Sequence, residues 1–333
     1  MAAMIGMQSN QSSRQTPSAV RPAGPVTGCF RCQRLLADGT GTVPATLMWI
    51  AEHYRETLEN GGLAEFDAVM NTTAGRCLRV LPDRENWYLQ GKLVHVQAAL
   101  PPCPSPGYRR GESFLGMYLK KHRDCTWATR IAAALGAASP PSPGQVEAEN
   151  AMALQSLGID VMPLMAYGEK LHADGRLESF LLTEELTGYC ELQEFIQRRF
   201  LLRSDESPLP ADLRRLVIQV ADIARRFHAA GFNHRDFYCC HFLVKETSPG
   251  RFDVRLIDLQ RVQQRQWFRR RWIVKDLAQL ASMSPDDQVG CRAKILFLRT
   301  YLGVRKLRPQ DKRFVRDILW KLSLIRRHAR HKS

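Results

Sequence analysis

A chain of 333 residues, 44% of them apolar, can bury a sizeable core, which excludes a disordered or fibrous protein. Its net charge of +15 is concentrated: residues 265–333 carry 19 Lys and Arg against 5 Asp and Glu, and the first 264 are close to neutral. The C-terminal part therefore calls for an anionic partner, whether nucleic acid, an anionic membrane face or a phosphorylated substrate.

No apolar run reaches the roughly 18 residues that mark a membrane-spanning helix. The opening stretch "MAAMIGMQSNQSSRQ" also lacks the basic region, apolar core and cleavage site of a signal peptide, so a cytoplasmic protein is expected. Nine cysteines, an odd number with Cys239 and Cys240 adjacent, point to reduced thiols rather than a disulfide framework.

Residues 1–45 begin with a stretch rich in Ser, Gln, Pro and Ala and are expected to form a flexible tail. Within them, Cys29 and Cys32 form a CxxC, but no second CxxC or His pair follows at ligand spacing. Leu47, Ile50, Ala51, Tyr54 and Leu58 recur at helical spacing up to Gly61 and Gly62, which predicts a helix. Segments 75–81, 86–97 and 113–122 have strand character and suggest a small antiparallel sheet. After the Pro-rich linker "SPPSPG", residues 145–157 read as a helix and 180–186 as one more strand.

Helices follow at 191–202 and 210–230, then short strands at 241–244 and 253–258, then three helical patterns to the C-terminus. The order is α+β: a β-rich lobe with one main helix over 46–186, and a larger α-helical lobe with a strongly basic end over 187–333. No internal repeat is evident.

Phosphoryl transfer requires a cation on the nucleotide phosphates, a carboxylate on the metal and a second carboxylate that orients the acceptor hydroxyl. His234, Arg235 and Asp236 match the H-R-D catalytic loop of protein kinases and stand between a long helix and a short strand, with Asp236 as the acceptor-facing carboxylate. Twenty-two positions later Asp258 ends the apolar strand "RLID", the place of the Mg²⁺-binding Asp of D-F-G, though Leu259 and Gln260 replace the Phe and Gly. Lys120 ends "GMYLK" in the manner of the ATP-binding lysine, and Glu147 lies on the one helix available to pair with it.

Each residue alone has an ordinary explanation: a solvated strand-end lysine, a first-turn helix acid, a turn aspartate. Their order, spacing and element types together predict a two-lobed protein-kinase-like fold that uses ATP and Mg²⁺, with Mn²⁺ as the alternative ion.

The stretches "HRDFYCCHFLV", "LIDLQRVQ" and "RRRWIVKDLAQL" resemble the lipopolysaccharide core kinase family, the heptose-I and Kdo kinases, and the likeness runs from about Ser113 to the C-terminus. The resemblance implies Asp236 as the catalytic carboxylate, Asp258 as the metal ligand, Lys120 as the ATP lysine and Glu147 as its partner, with Glu149 as the fallback. It also implies that Asp276 holds the catalytic loop from the helix beneath; the competing reading is a helix N-terminal acid. His241 stands where ordinary protein kinases have the metal-binding Asn, and an imidazole there favours Mn²⁺ relative to Mg²⁺. No G-x-G-x-x-G precedes Lys120, and neither Gly75 nor Gly91 has a convincing context.

The function expected is ATP-dependent phosphorylation of a heptose or Kdo hydroxyl in the lipopolysaccharide inner core, at the cytoplasmic face of the inner membrane. The polyanionic acceptor and an anionic membrane surface then answer the basic C-terminal lobe, and no nucleic acid is expected as a partner. Residues 310–332, with Phe314, Ile318, Leu322 and Ile325 on one side, form either a membrane-facing helix or a core helix with a solvated basic face. The alternatives are a kinase for a protein or small-molecule acceptor, and a pseudokinase scaffold or nucleic-acid-binding protein. Lys120, Asp236 and Asp258 standing together speak against the scaffold, which would need none of them.

Overall fold

The computed structural model describes residues 45–92, 114–123, 141–172, 174–200, 208–265 and 267–330. Cys29, Cys32 and the rest of the expected tail up to residue 44, and the strand residues expected at 93–97, lie outside these; Ala45, the tail's last expected residue, is instead the first residue of a strand.

The N-terminal half is a six-stranded antiparallel sheet in the order β1-β5-β6-β4-β3-β2. Its strands are β1 (Ala45–Ile50), β2 (Arg76–Val80), β3 (Arg84–Lys92), β4 (Phe114–His122), β5 (Leu164–Leu171) and β6 (Leu177–Glu184). One face is covered by α1 (Arg55–Asn60) and α2 (Phe66–Asn71), whose Leu58, Phe66, Val69 and Met70 pack on Leu115, Met117, Leu119, Phe180 and Leu182. Helix α3 (Pro143–Ser156) packs Ala148, Ala151 and Leu154 with Tyr167 and Leu181.

The helix expected from Leu47 is corrected in its first part. Residues 45–50 form the edge strand β1, in register with β5 (Leu47 opposite Glu169, Trp49 opposite Tyr167), and only 55–60 are α-helical. The positions that satisfied a helical period also supply β-compatible side chains, and pairing to a sheet edge decided the outcome. Strand β5 escaped the sequence reading because it is buried along nearly its whole length and shows no alternation. The Pro-rich stretch before α3 is a helix start: Ser142 Oγ accepts from the Gln145 amide at 3.1 Å and Pro143 takes the first helical position.

The C-terminal half is mainly helical: α4 (Leu192–Arg199), α5 (Ala211–Ala229), α6 (Arg269–Ser282), α7 (Asp286–Leu302) and α8 (Pro309–Arg330). Short strands β7 (Cys190–Glu191), β9 (Phe242–Ser248) and β10 (Arg251–Leu256) form a small sheet, and β8 (Phe232–Asn233) pairs with β11 (Gln263–Gln264). Helix α5 buries Leu213, Leu216, Val217, Val220, Ile223 and Phe227 on one face and forms the centre of the core. Of the two readings of the last helix, the core one describes its apolar side: Ile318, Phe314, Leu322 and Ile325 pack with Val274 and Leu277 of α6.

Candidate active site

Strand alternation sets the position of Lys120. Leu115, Met117, Leu119 and Lys121 of β4 are buried on the α1/α2 side, so Lys120, between the last two, emerges on the opposite face. There α3, started by its Ser142 cap, presents Glu147, which is fully buried. Lys120 Nζ donates to Glu147 Oε1 at 2.7 Å and to Oε2 at 3.0 Å. Glu149, the fallback partner, instead accepts from Gln145 at 2.8 Å on the exposed side. Two residues along a helix are about 200° apart, so the two acids cannot share a partner.

Asp258 reaches the same ammonium from the other half of the chain, with Oδ1 at 3.5 Å from Lys120 Nζ. Its backbone is left-handed (φ 59, ψ 60) at the end of β10, and a 3-10 turn at Leu259–Arg261 follows. Asn150 of α3 fastens this turn through its amide, which donates to the Leu259 and Val262 carbonyls at 3.0 and 3.1 Å. Burial pulls the Lys120 ammonium down, but Glu147 and Asp258 outweigh it and hold the group above its usual value. Burial pushes Asp258 up, yet Lys120, His241 and His234 hold its carboxyl below the usual range.

Helix α5 ends at Gly231, whose φ of 93 supplies the left-handed turn that lets the chain reverse. The loop that follows hangs on α6. The fully buried Asp276 accepts from the amides of His234 at 2.8 Å and Arg235 at 3.0 Å, and Gln279 accepts from Phe237 at 3.2 Å. Asp276 stands in the middle of α6, not in its first turn, so the helix-end reading of this acid is excluded. Phe237 is stacked on Phe227 of α5 at 5.6 Å, which seats the loop in the core.

His234 is buried; its Nε2 lies 3.2 Å from the Ile257 carbonyl, and burial followed by the nearby His241 pushes it down to about 4, so it is a neutral ring that donates from Nε2. His241 stacks on it at 5.5 Å, donates from Nδ1 to the Asp236 carbonyl at 2.6 Å and turns Nε2 toward Asp258 Oδ2 at 3.6 Å. Burial opposes its charged form, but Cys240, the Asp236 carbonyl and Asp258 raise it to about 9.

Three participants were missed in the sequence. Arg261 donates to Asp236 Oδ2 at 2.6 Å, Asn150 holds the Asp258 turn, and Arg84, at the start of β3, donates to Gln260. The start of β3 thereby reaches the turn after Asp258. The signal available was position: Arg261 is three residues after Asp258, within one short turn.

Among the described residues no group of three or more His, Cys, Asp or Glu converges as a metal cage. Metal ions that accompany nucleotides take most of their ligands from phosphates and water and need only one or two protein carboxylates, and Asp258, half-buried on a turn fastened by Asn150, fits that requirement. The cleft therefore gathers a buried-paired cation, a carboxylate beside it and a second carboxylate on a rigid loop.

The family model "Lipopolysaccharide kinase (Kdo/WaaP) family" matches residues 119–301. The chain is 36% identical over 190 residues to the lipopolysaccharide core heptose(I) kinase WaaP of Pseudomonas aeruginosa, covering 56% of this chain and 69% of that protein. It is 33% identical over 193 residues to the protein of the same name from Escherichia coli K12, covering 56% and 70%. A solved structure, WaaP in complex with acyl carrier protein, superposes with a TM-score of 0.57 at 29% identity, over 86% of this chain and 98% of that one. The chain belongs to the lipopolysaccharide kinase (Kdo/WaaP) family and is a phosphotransferase with a protein-kinase-like fold.

Proposed function

We propose that this chain transfers the γ-phosphoryl group of ATP to a hydroxyl of the lipopolysaccharide inner core, on heptose or Kdo, with heptose favoured because its similar proteins are heptose(I) kinases. The observation that carries this reading is the contact of Lys120 with both Glu147 and Asp258, which joins three distant parts of the chain at one point. A nucleotide there lies between the lobe of residues 46–186 and the lobe of 187–333.

In this reading Lys120, aimed by Glu147, holds the α- and β-phosphates. Asp258 would hold Mg²⁺, or Mn²⁺ in its place, with His241 as the neighbouring side chain, and such an ion would supply neutralising charge for the phosphates. Asp236 accepts the proton of the acceptor hydroxyl, for which Arg261 must release its carboxylate. Asp276 fixes the loop, while His234 and Arg235 shape it. The acceptor is membrane-held, which places the enzyme at the cytoplasmic face of the inner membrane; among the described residues no helix is long and apolar enough to cross one.

The complex formed by the solved relative supports acyl carrier protein as a partner for this chain as well. A cavity of about 280 Å³ among α4 to α8, lined by Leu192, Ile196, Val217, Leu280, Phe297 and Ile318, offers an apolar chain a place. Native mass spectrometry of the protein purified beside acyl carrier protein tests this: a one-to-one complex supports it and a bare chain contradicts it.

Release of ADP by the purified chain, with and without delipidated core oligosaccharide, tests the main reading. Acceptor-stimulated release that disappears in Asp236→Asn is expected; release indifferent to the acceptor contradicts it.

A further inference from the structure

We propose that the turn entering α6, with Trp267 and Phe268 at its tip, is a docking surface for an anionic lipid bilayer, set beside Asp236. The proposal rests on the reading above only for its link to catalysis.

Trp267 is 80% exposed and Phe268 is 87% exposed, more than any other large apolar side chain among the described residues. Large rings left in water on adjacent positions are unusual on a surface that meets only solvent. The backbone presents them outward deliberately: Phe268 is left-handed (φ 54, ψ 28), a conformation that bulky residues rarely adopt. Only two other non-glycine residues described share a positive φ, Arg235 and Asp258, and both belong to the site.

Four residues after Phe268, cations gather on the indole of Trp272. Arg265 lies 4.5 Å from the centroid of Trp272, Arg271 5.6 Å, Arg235 5.8 Å and Lys275 5.9 Å. Among the described residues none of the four has an ion pair to a carboxylate; Arg265 bonds Gln263, and Lys275 bonds the Arg235 carbonyl at 2.6 Å. The nearby acids are already engaged, Asp236 by Arg261 and the buried Asp276 by two loop amides. Helix α6 also opens with Arg269, Arg270 and Arg271 and no acid in its first turn, against its dipole; only Arg270 of the three pairs with a carboxylate among the described residues, so positive charge remains in excess there.

Exposed aromatic rings close in the chain to cations without a carboxylate partner among the described residues match the chemistry of a bilayer boundary, where rings settle at headgroup depth and cations take phosphates. The surface continues on α8: Asp317, which pairs with Arg270 at 2.6 Å, stands one turn before Trp320, itself 64% exposed. Because Arg235 belongs both to the cation cluster and to the catalytic loop, docking brings Asp236 to the lipid surface.

Flotation of the full chain with vesicles rich in phosphatidylglycerol, against vesicles of phosphatidylcholine alone, tests the proposal in wild type and in the Trp267→Ser, Phe268→Ser double variant. Wild type is expected to bind the anionic vesicles preferentially and to be released by salt, and the variant to lose about tenfold or more in affinity. With a delipidated soluble acceptor the variant is expected to turn over as wild type does; with acceptor embedded in vesicles it is expected to fall. No preference for anionic vesicles, vesicle binding unchanged in the variant, or an equal loss of binding to single-stranded oligonucleotide at matched charge would overturn it. Absence of turnover on the soluble acceptor by both proteins, with vesicle binding still differing, would count against the kinase reading and leave the docking surface standing.

Discussion

Lys120, partly exposed, pairs at 2.7 Å with the fully buried Glu147 and joins the centre of the sheet to helix α3. Removing one partner from such a pair leaves an uncompensated charge, whereas replacing both with apolar groups is far better tolerated. Lys120→Met is expected to destabilise the chain by about 3–5 kcal/mol, and Lys120→Met with Glu147→Leu to regain most of that, with neither variant active. Thermal melts and turnover check both parts; a double variant that recovers activity would contradict the assigned role.

Asp276 is a positioning residue. Its carboxylate accepts two loop amides, so Asp276→Asn loses charge assistance on both and is expected to cost about 1–3 kcal/mol. Turnover is expected to fall about 10-fold to 100-fold with ATP affinity little changed, since the loop and not the nucleotide cradle is disturbed. Separate measurement of kcat and of nucleotide Kd checks this, and a loss confined to nucleotide Kd contradicts it.

His241 separates this site from one with the usual asparagine. His241→Asn is expected to raise activity with Mg²⁺ relative to Mn²⁺, because an amide oxygen suits the harder ion. Initial rates with each ion decide it; a ratio unchanged from wild type removes His241 from the metal's surroundings.

The pH response of stability has an identifiable contributor at the end of β4. Burial, then Arg84 and Lys120, push His122 down to about 4 from its ordinary 6.5. Between these values the unfolded chain binds a proton that the folded chain does not. The contribution is therefore fully present above about pH 6.5 and is lost as pH falls to about 4. His122→Gln is expected to flatten the fall of Tm across that window, and a slope equal to that of wild type would contradict the assignment.

How far the sequence could be read follows from which physical rule governed each residue. Lys120 was legible because it closes a strand-like "GMYLK", and Asp236 because H-R-D stands between a long amphipathic helix and a short strand. Choosing Glu147 over Glu149 needed the phase of α3, which depends on how the helix is seated against the sheet. Strand β1 was misread because its apolar spacing is compatible with a helix and only the edge of β5 settles the matter. Arg261 and Arg84 were out of reach, since a surface arginine has no periodicity that announces its partner. The exposure of Trp267 and Phe268 was likewise hidden, as aromatic side chains in sequence look like core.

The most direct measurement is the mass and phosphorus spectrum of delipidated, dephosphorylated core oligosaccharide after incubation with ATP, Mg²⁺ and the purified chain. The account predicts one added phosphate as a monoester on a heptose or Kdo hydroxyl, made by wild type and absent with Asp236→Asn. An unmodified oligosaccharide with ATP consumed, or the same product from Asp236→Asn, would contradict it.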